Sequence, residues 1–273
     1  MSINGDHRPI PERKTAMHLR MVHMKVRNGQ LSKAETTYRE RVIPALESVG
    51  GCRYAGMLQS AHQPDACVSL TLWETEQHAK AYEASGLFAA LLEEMKPLFS
   101  ESSESRMQLS ENLTLEYVPI PEEPIVQTQP VAVSSGPQTG VGGDKGGLWV
   151  RIVSIKLQRG KRDEFKREFV EQTLPVLRQV RGCRYVYLAE QENEPDAVLS
   201  VTSWDSRQDA ENYEKSGLFD RLLESQKQFL SPLYQWKRDR EGAKHAEVAT
   251  SDDVMVEHYN VLAGKSFGGG AGR

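Results

Sequence analysis

The sequence predicts an α+β protein: two tandem ferredoxin-like domains packed against each other as a pseudo-dimer within one chain. Three observations carry this. A block running from Gly51-Cys52-Arg53-Tyr54 to Ser85-Gly86-Leu87-Phe88 returns as Gly182-Cys183-Arg184-Tyr185 to Ser216-Gly217-Leu218-Phe219, 131 positions later and without a gap. About 23 of the 51 positions in 50–100 match their counterparts in 181–231, and a repeat of this length is a small domain rather than a solenoid unit. Each copy reads strand–helix–strand–strand–helix–strand, the ferredoxin-like order. The first strand of each copy is also apolar on both faces, as a strand covered on both sides must be. One helical layer covers one face of such a sheet, so the other copy is left to cover the second.

The elements follow in order. Residues 1–16 are polar and are expected to form a disordered arm. On the first strand Arg20, Val22, Met24 and Val26 share one face and Leu19, Met21, His23 and Lys25 the other; the copy places Arg151, Val153, Ile155 and Leu157 against Val150, Ile152, Ser154 and Lys156. Leu31, Ala34, Tyr38, Val42, Ala45 and Val49 then recur at helical spacing, as do Phe165, Phe169, Leu174, Leu177 and Val180. Pro44 and Pro175 inside this pattern predict a kink or the start of a last turn. Gly51 and Gly182 are expected to end it in the left-handed conformation. Second and third strands are predicted over 52–60 and 66–74, and again over 183–191 and 197–205.

Thr75 and Ser206 are natural N-caps for the next helix, and Ser85-Gly86 and Ser216-Gly217 separate it from another. The last strand is predicted at 113–117 and at 254–258, which gives the second copy about ten extra residues ahead of it. Residues 119–147 carry Pro119, Pro121, Pro124, Pro130 and Pro137 and then a glycine run, and are expected to be a linker. The resulting domains are 17–118 and 148–262, with a disordered tail over 263–273.

Bulk composition excludes several classes. A formal charge of −4 and a pI near 6.0 give no basic field for nucleic acid, and no apolar run is long enough for a membrane span. The first residues lack the apolar core of a secretory signal. Three cysteines are too few and too odd for a disulfide framework, so a cytoplasmic location is expected.

With these residues in view, the block resembles the antibiotic biosynthesis monooxygenase-like family of the dimeric α/β-barrel superfamily. The glycine-headed second strand, the third strand ending in Trp73-Glu74-Thr75 or Trp204-Asp205-Ser206, and the helix entering Ser-Gly-Leu-Phe carry the resemblance. It implies a barrel closed within the chain, where relatives close it by dimerising. It also implies an activity among cofactor-independent oxidations of phenolic polyketides and quinols or oxygen-dependent haem degradation. The haem-degrading branch uses an asparagine, a tryptophan and a histidine at places that hold Val22, Tyr82 and Leu92 here, and Val153, Tyr213 and Leu223 in the second copy. A leucine cannot ligate iron, so haem degradation is not expected and no cofactor is assigned.

Candidate site residues follow from chemistry. Trp73 with Thr71 and Ser69, and Trp204 with Thr202 and Ser200, place polar groups on one apolar strand face, where an aromatic substrate fits as well as plain packing does. His78 and Tyr82 share a helix face and are the candidate catalytic pair, the histidine relaying a proton from a phenol; Tyr213 repeats the tyrosine, while Asp209 replaces the histidine. Arg20 and Arg151 stand among apolar groups and need a partner or a ligand. Arg53 and Arg184 are expected to brace turns through Asp65 and Asp196. Cys52 and Cys183, without a CxxC or clustered histidines, suit small buried positions rather than a metal. A site confined to one half would show where the copies differ, at His23, His62 and His78.

The sequence therefore supports a cofactor-independent monooxygenase-like protein acting on a small aromatic or quinol substrate. It leaves beside it a non-catalytic barrel that binds a small apolar ligand (or haem) or serves as an interaction and assembly module. A homo-oligomer of pseudo-dimers is compatible with either.

Overall fold

A computed structural model describes residues 17–109, 115–121, 123–135, 148–191, 194–232 and 254–267, with only the backbone course described for 102–121. The first copy runs β1 (His18–Lys25), α1 (Leu31–Thr37), a π turn (Tyr38–Val42), α2 (Ile43–Glu47), β2 (Cys52–Ser60), β3 (Ala66–Trp73), α3 (Glu76–Ala84) and α4 (Leu87–Met95). Three strands follow: β4 (Glu101–Leu109), β5 (Leu115–Pro121) and β6 (Ile125–Ser135). The second copy opens with β7 (Trp149–Lys156), α5 (Arg162–Glu168), a π turn (Phe169–Thr173) and α6 (Leu174–Leu177). It continues with β8 (Cys183–Glu190), β9 (Ala197–Trp204), α7 (Arg207–Lys215), α8 (Leu218–Ser225) and β10 (Val254–Ser266).

Eight strands close one barrel in the order β1-β3-β2-β10-β7-β9-β8-β6, while β4 and β5 pair apart from it. Every neighbouring pair is antiparallel. β1 and β7 are four steps apart, so they run the same way and end on the same rim. Alternation along each strand then sorts the core into three. Val22, Met24, Ala55, Met57 and Trp73 meet the helices of the first copy, and Val153, Ile155, Val186, Leu188 and Trp204 those of the second. Leu19, Met21, Tyr54, Leu70, Val150, Ile152, Tyr187 and Val201 fill the barrel interior. The two-sided apolarity of the first strand has this cause.

Local rules hold where the sequence placed them. Gly51 and Gly182 adopt φ of 81° and 79°, and Thr75 and Ser206 cap α3 and α7 by accepting from the N–H of His78 and Asp209. Pro44 and Pro175 lie in the first turn of α2 and α6, directly after the π turns, which suits residues that can offer no N–H to the turn behind them.

The fourth strand is a correction. The register places Thr128 of β6 opposite Arg20, and His258 of β10 opposite Arg151. The fourth strand of the first copy is therefore β6, inside the stretch expected to be a linker, and not 113–117. Residues 115–117 belong to β5, which pairs with β4 outside the barrel, while 113 and 114 lie outside the described residues. The fourth strands stand 130 positions apart against 131 for the first strands, so the expected ten extra residues vanish.

β6 and β10 each serve both halves. β6 pairs with β1 from Ile125 to Pro130 and with β8 from Val131 to Ser135; β10 pairs with β7 and then with β2. Pro130 sits at the handover, where a missing N–H interrupts least. The tail is corrected too, since β10 continues to Ser266 and Phe267 is buried. Residues 1–16 lie outside the described residues. Arg53 and Arg184 brace the neighbouring strand through Glu74 and Asp205, not through the turn aspartates. Asp196 instead accepts from the N–H of Gly160 at 3.1 Å.

Inside the barrel Tyr54 is fully buried and its hydroxyl has no partner. It occupies space left by Gly56 and Gly264, where an added Cβ would lie 2.3 and 2.6 Å from that hydroxyl. Tyr54→Phe should therefore raise the urea midpoint, by about 1 kcal/mol of stability, because a buried unsatisfied hydroxyl is removed. A lower midpoint would show that the hydroxyl is satisfied in solution.

Candidate functional site

Among the described residues, each half has a cavity between its sheet and its helices that is organised by an arginine. Arg20 stands on the helix-facing side of β1, 2% exposed. Its Nε donates to Glu83 Oε1 at 2.7 Å, its Cζ lies 4.0 Å from the Phe88 ring centroid, and its buried Nη2 has no partner. Arg151 repeats this with Glu214 at 2.6 Å, Phe219 at 4.0 Å and an equally unpartnered Nη2. A guanidinium taken out of water needs such an acid partner and ring face.

The walls are those expected from the third strand and the following helix. Trp73 donates from Nε1 to Thr71 Oγ1 at 2.9 Å and stacks on Tyr82 with centroids 5.1 Å apart; Trp204, Thr202 and Tyr213 do the same at 3.0 and 5.0 Å. Arg20, Thr71 and Tyr82 line a cavity of about 40 Å3, roofed by Phe88 and Leu92 of α4. Arg151, Thr202 and Tyr213 line one of about 30 Å3 under α8. The tryptophans stand one layer back, as backing for the tyrosines. Burial pushes the Tyr82 phenol up to about 12, with Arg20 opposing, and burial raises Tyr213 as well. Both phenols stay protonated near neutral pH.

His78 does not join them. It lines neither cavity. Its Nδ1 lies 3.1 Å from the capping Thr75 hydroxyl and 3.7 Å from Glu74, over Gly51. Asp209 occupies the same place over Gly182 and bonds Ser206 at 2.5 Å. The two residues share a capping position, which explains why a histidine and an aspartate can exchange there. Cys52, Cys67 and Cys183 have thiols pushed up to about 12 by burial, so they are poor nucleophiles and metal ligands. Leu92 and Leu223 line the cavities where the haem-degrading pattern has its histidine, so the residues present do not fit an iron-bound haem.

Glu83 and Glu214 were missed from the sequence, although each follows its tyrosine in both copies and a buried arginine demands an acid. The halves differ in what else reaches the carboxylate. His258 Nε2 lies 2.9 Å from Glu214 Oε1; its counterpart in β6 is Thr128. Lining groups differ too: Tyr38 bonds Ser69 at 2.8 Å in the first cavity, and Gln226 donates to Thr173 at 2.6 Å in the second.

Burial raises the Glu214 pKa, but the His258 hydrogen bond and the Arg151 charge outweigh it and hold the carboxyl below its usual value. A carboxylate depressed in the folded state adds stability above its unfolded pKa of about 4.3. That stability is lost as pH falls through the folded value. Acid unfolding of Glu214→Gln should therefore be less steep below about pH 4.3 than that of the parent. Equal slopes would mean that the pair adds nothing.

An eight-stranded antiparallel barrel built from two ferredoxin-like halves, each with an arginine cavity under its helices, defines an intrachain dimeric α/β barrel. The chain belongs to the antibiotic biosynthesis monooxygenase family, whose model matches residues 17–94 and 149–225. Among solved structures it is similar to a monooxygenase candidate of Fusobacterium nucleatum, at TM-score 0.65 and 9% identity over 94% of this chain and 97% of that one. A monooxygenase candidate of Lactobacillus acidophilus gives TM-score 0.61 at 8% identity over 93% and 97%. An anthrone oxidase-like protein gives 0.51 at 13% over 94% and 95%. At these identities the likeness concerns the fold. No curated protein sequence matches the chain. Among the described residues, no helix is long and apolar enough to cross a membrane.

Proposed function

We propose that the chain is a cofactor-independent monooxygenase-type enzyme that oxidises a small hydroxylated aromatic, a phenol, quinol or anthrone-like compound. One observation carries the proposal: a buried arginine with an unpartnered Nη2 stands in the cavity of each half. Such a donor in an apolar site stabilises an anion where it forms. An oxygen anion of the substrate held by Arg20 or Arg151 passes one electron to O2, and the resulting radical pair combines to a carbon-bound hydroperoxide. At a ring CH2 this loses water to leave C=O, so one oxygen atom enters the product and the other leaves as water. Glu83, half exposed beside Arg20, is placed to pass the substrate's proton to solvent.

A cavity of about 150 Å3 holds one benzene, so cavities of about 40 and 30 Å3 require α4 or α8 to move outward as lids. Oxygen uptake with quinols and anthrone-like phenols tests the reading. We expect uptake above buffer, and a fall of about 10²-fold in the Arg20→Gln/Arg151→Gln double variant, as for loss of an oxyanion donor. No uptake by the parent protein would overturn it. The small volumes and the absence of an ordinary base among the cavity linings favour a second reading, a non-catalytic binder of a small ligand. Native mass spectrometry showing a retained aromatic molecule without oxygen uptake would select that reading.

A further inference from the structure

A cavity of about 260 Å3 lies at the rim where β1 ends. His23 reaches it from the interior face of β1, Ser60 and His62 from the end of β2, and Glu257 and Tyr259 from β10. Val68 and Tyr259 belong to the barrel's interior core and give it an apolar floor. Nε2 of His23 is buried and has no partner. Burial lowers the His23 pKa, against the pull of Glu257, so the imidazole is neutral near pH 7 and offers an acceptor.

Among the described residues, the other half does not repeat this set. By register, Ser154, Gln127 and Gln129 stand where His23, Glu257 and Tyr259 stand, so the imidazole facing a carboxylate exists on one side of the barrel. A buried ring nitrogen with no partner, on a residue that lines an open cavity, calls for a hydrogen-bond partner.

We infer that this rim is a second ligand site, separate from the arginine cavities, and takes a neutral one- or two-ring molecule whose hydroxyl donates to Nε2 of His23. Its volume exceeds the roughly 150 Å3 that holds one benzene. The ring lies on Val68 and Tyr259, and the hydroxyl meets the imidazole. Glu257 disfavours anions, so the ligand class differs from the anionic species proposed for Arg20 and Arg151. The inference does not rest on catalysis in those cavities.

The probe is 2-naphthol, titrated into 15N-histidine-labelled protein, with 2-naphthoate as the anionic control. Saturating 2-naphthol should shift the His23 ring nitrogens, and 2-naphthoate should bind at least about tenfold more weakly, as expected for one lost hydrogen bond. His23→Ser installs the residue that the other copy carries at this place and should weaken 2-naphthol binding by about tenfold. Ile125→Trp, at a rim position 65% exposed and directly across the strand pair from His23, should weaken it by filling the mouth beside the imidazole. His23 signals unmoved at saturation, or affinities within about twofold of the parent in both variants, would overturn the inference.

Discussion

Replacing residues 125–135 by a Gly/Ser stretch of equal length should abolish cooperative folding of both halves. The segment carries Pro130 and five polar residues, so six of its eleven residues read as linker by composition. Yet it supplies β6, which pairs with β1 through Pro130 and with β8 through Ser135. Losing it removes a ladder on each side, at about 1 kcal/mol per backbone hydrogen bond, and exposes the edges of β1 and β8. It also removes Val131, which is buried in the interior core. The combined cost is about 5 kcal/mol or more, comparable with the roughly 5–15 kcal/mol that holds a whole domain. Thermal unfolding followed by circular dichroism should lose its sharp transition. A variant that melts at the parental temperature would show that β6 is dispensable to the barrel.

The next largest effect is expected at the strand-end tryptophans. Trp204 is fully buried, stacks on Tyr213 with centroids 5.0 Å apart, and donates from Nε1 to Thr202. Trp204→Ala should cost about 3–5 kcal/mol, the usual range for deleting a buried large aromatic. Trp204→Phe, which keeps most of the stacking surface, should cost less. Trp73→Ala should behave alike, since Trp73 makes the same contacts with Tyr82 and Thr71. Because the halves share one closed sheet, either change should lower a single unfolding transition rather than split it. A loss below about 1 kcal/mol in urea unfolding would contradict the packing role. Two well-separated transitions would contradict the shared sheet.

Much of this was legible because the chain states it twice. Glycines at Gly51 and Gly182, caps at Thr75 and Ser206 and the two-faced strands obey local rules, and each rule appears in both copies. β6 was illegible for a physical reason. A strand that hands its pairing from β1 to β8 can tolerate Pro130 and leave Ile125 and Val126 exposed, since only Gln129 and Val131 on it are buried. Sequence pattern drew 113–117 into the role instead. The arginine cavities were half legible. Arg20, Arg151, Thr71, Tyr82 and Tyr213 come together, but the acids that hold the arginines lie 63 residues from them in each copy, a distance that no local pattern bridges. His78 shows the opposite failure, a residue with suggestive chemistry held by its helix cap.

The strand handover also changes what a single substitution can do. In a barrel closed by two identical chains, every replacement near the central axis arrives twice and faces its own copy. A residue that suits one side must be tolerated on the other. Here β6 and β10 knit both halves into one chain, and that constraint is gone. Gly56 leaves room for Tyr54, while the matching position holds Tyr187 stacked on Tyr185. One half can keep His23 while the other keeps Ser154. Fusion thus turns a symmetric container into one with distinguishable sides, so that one half is free to specialise while its sibling preserves the shape.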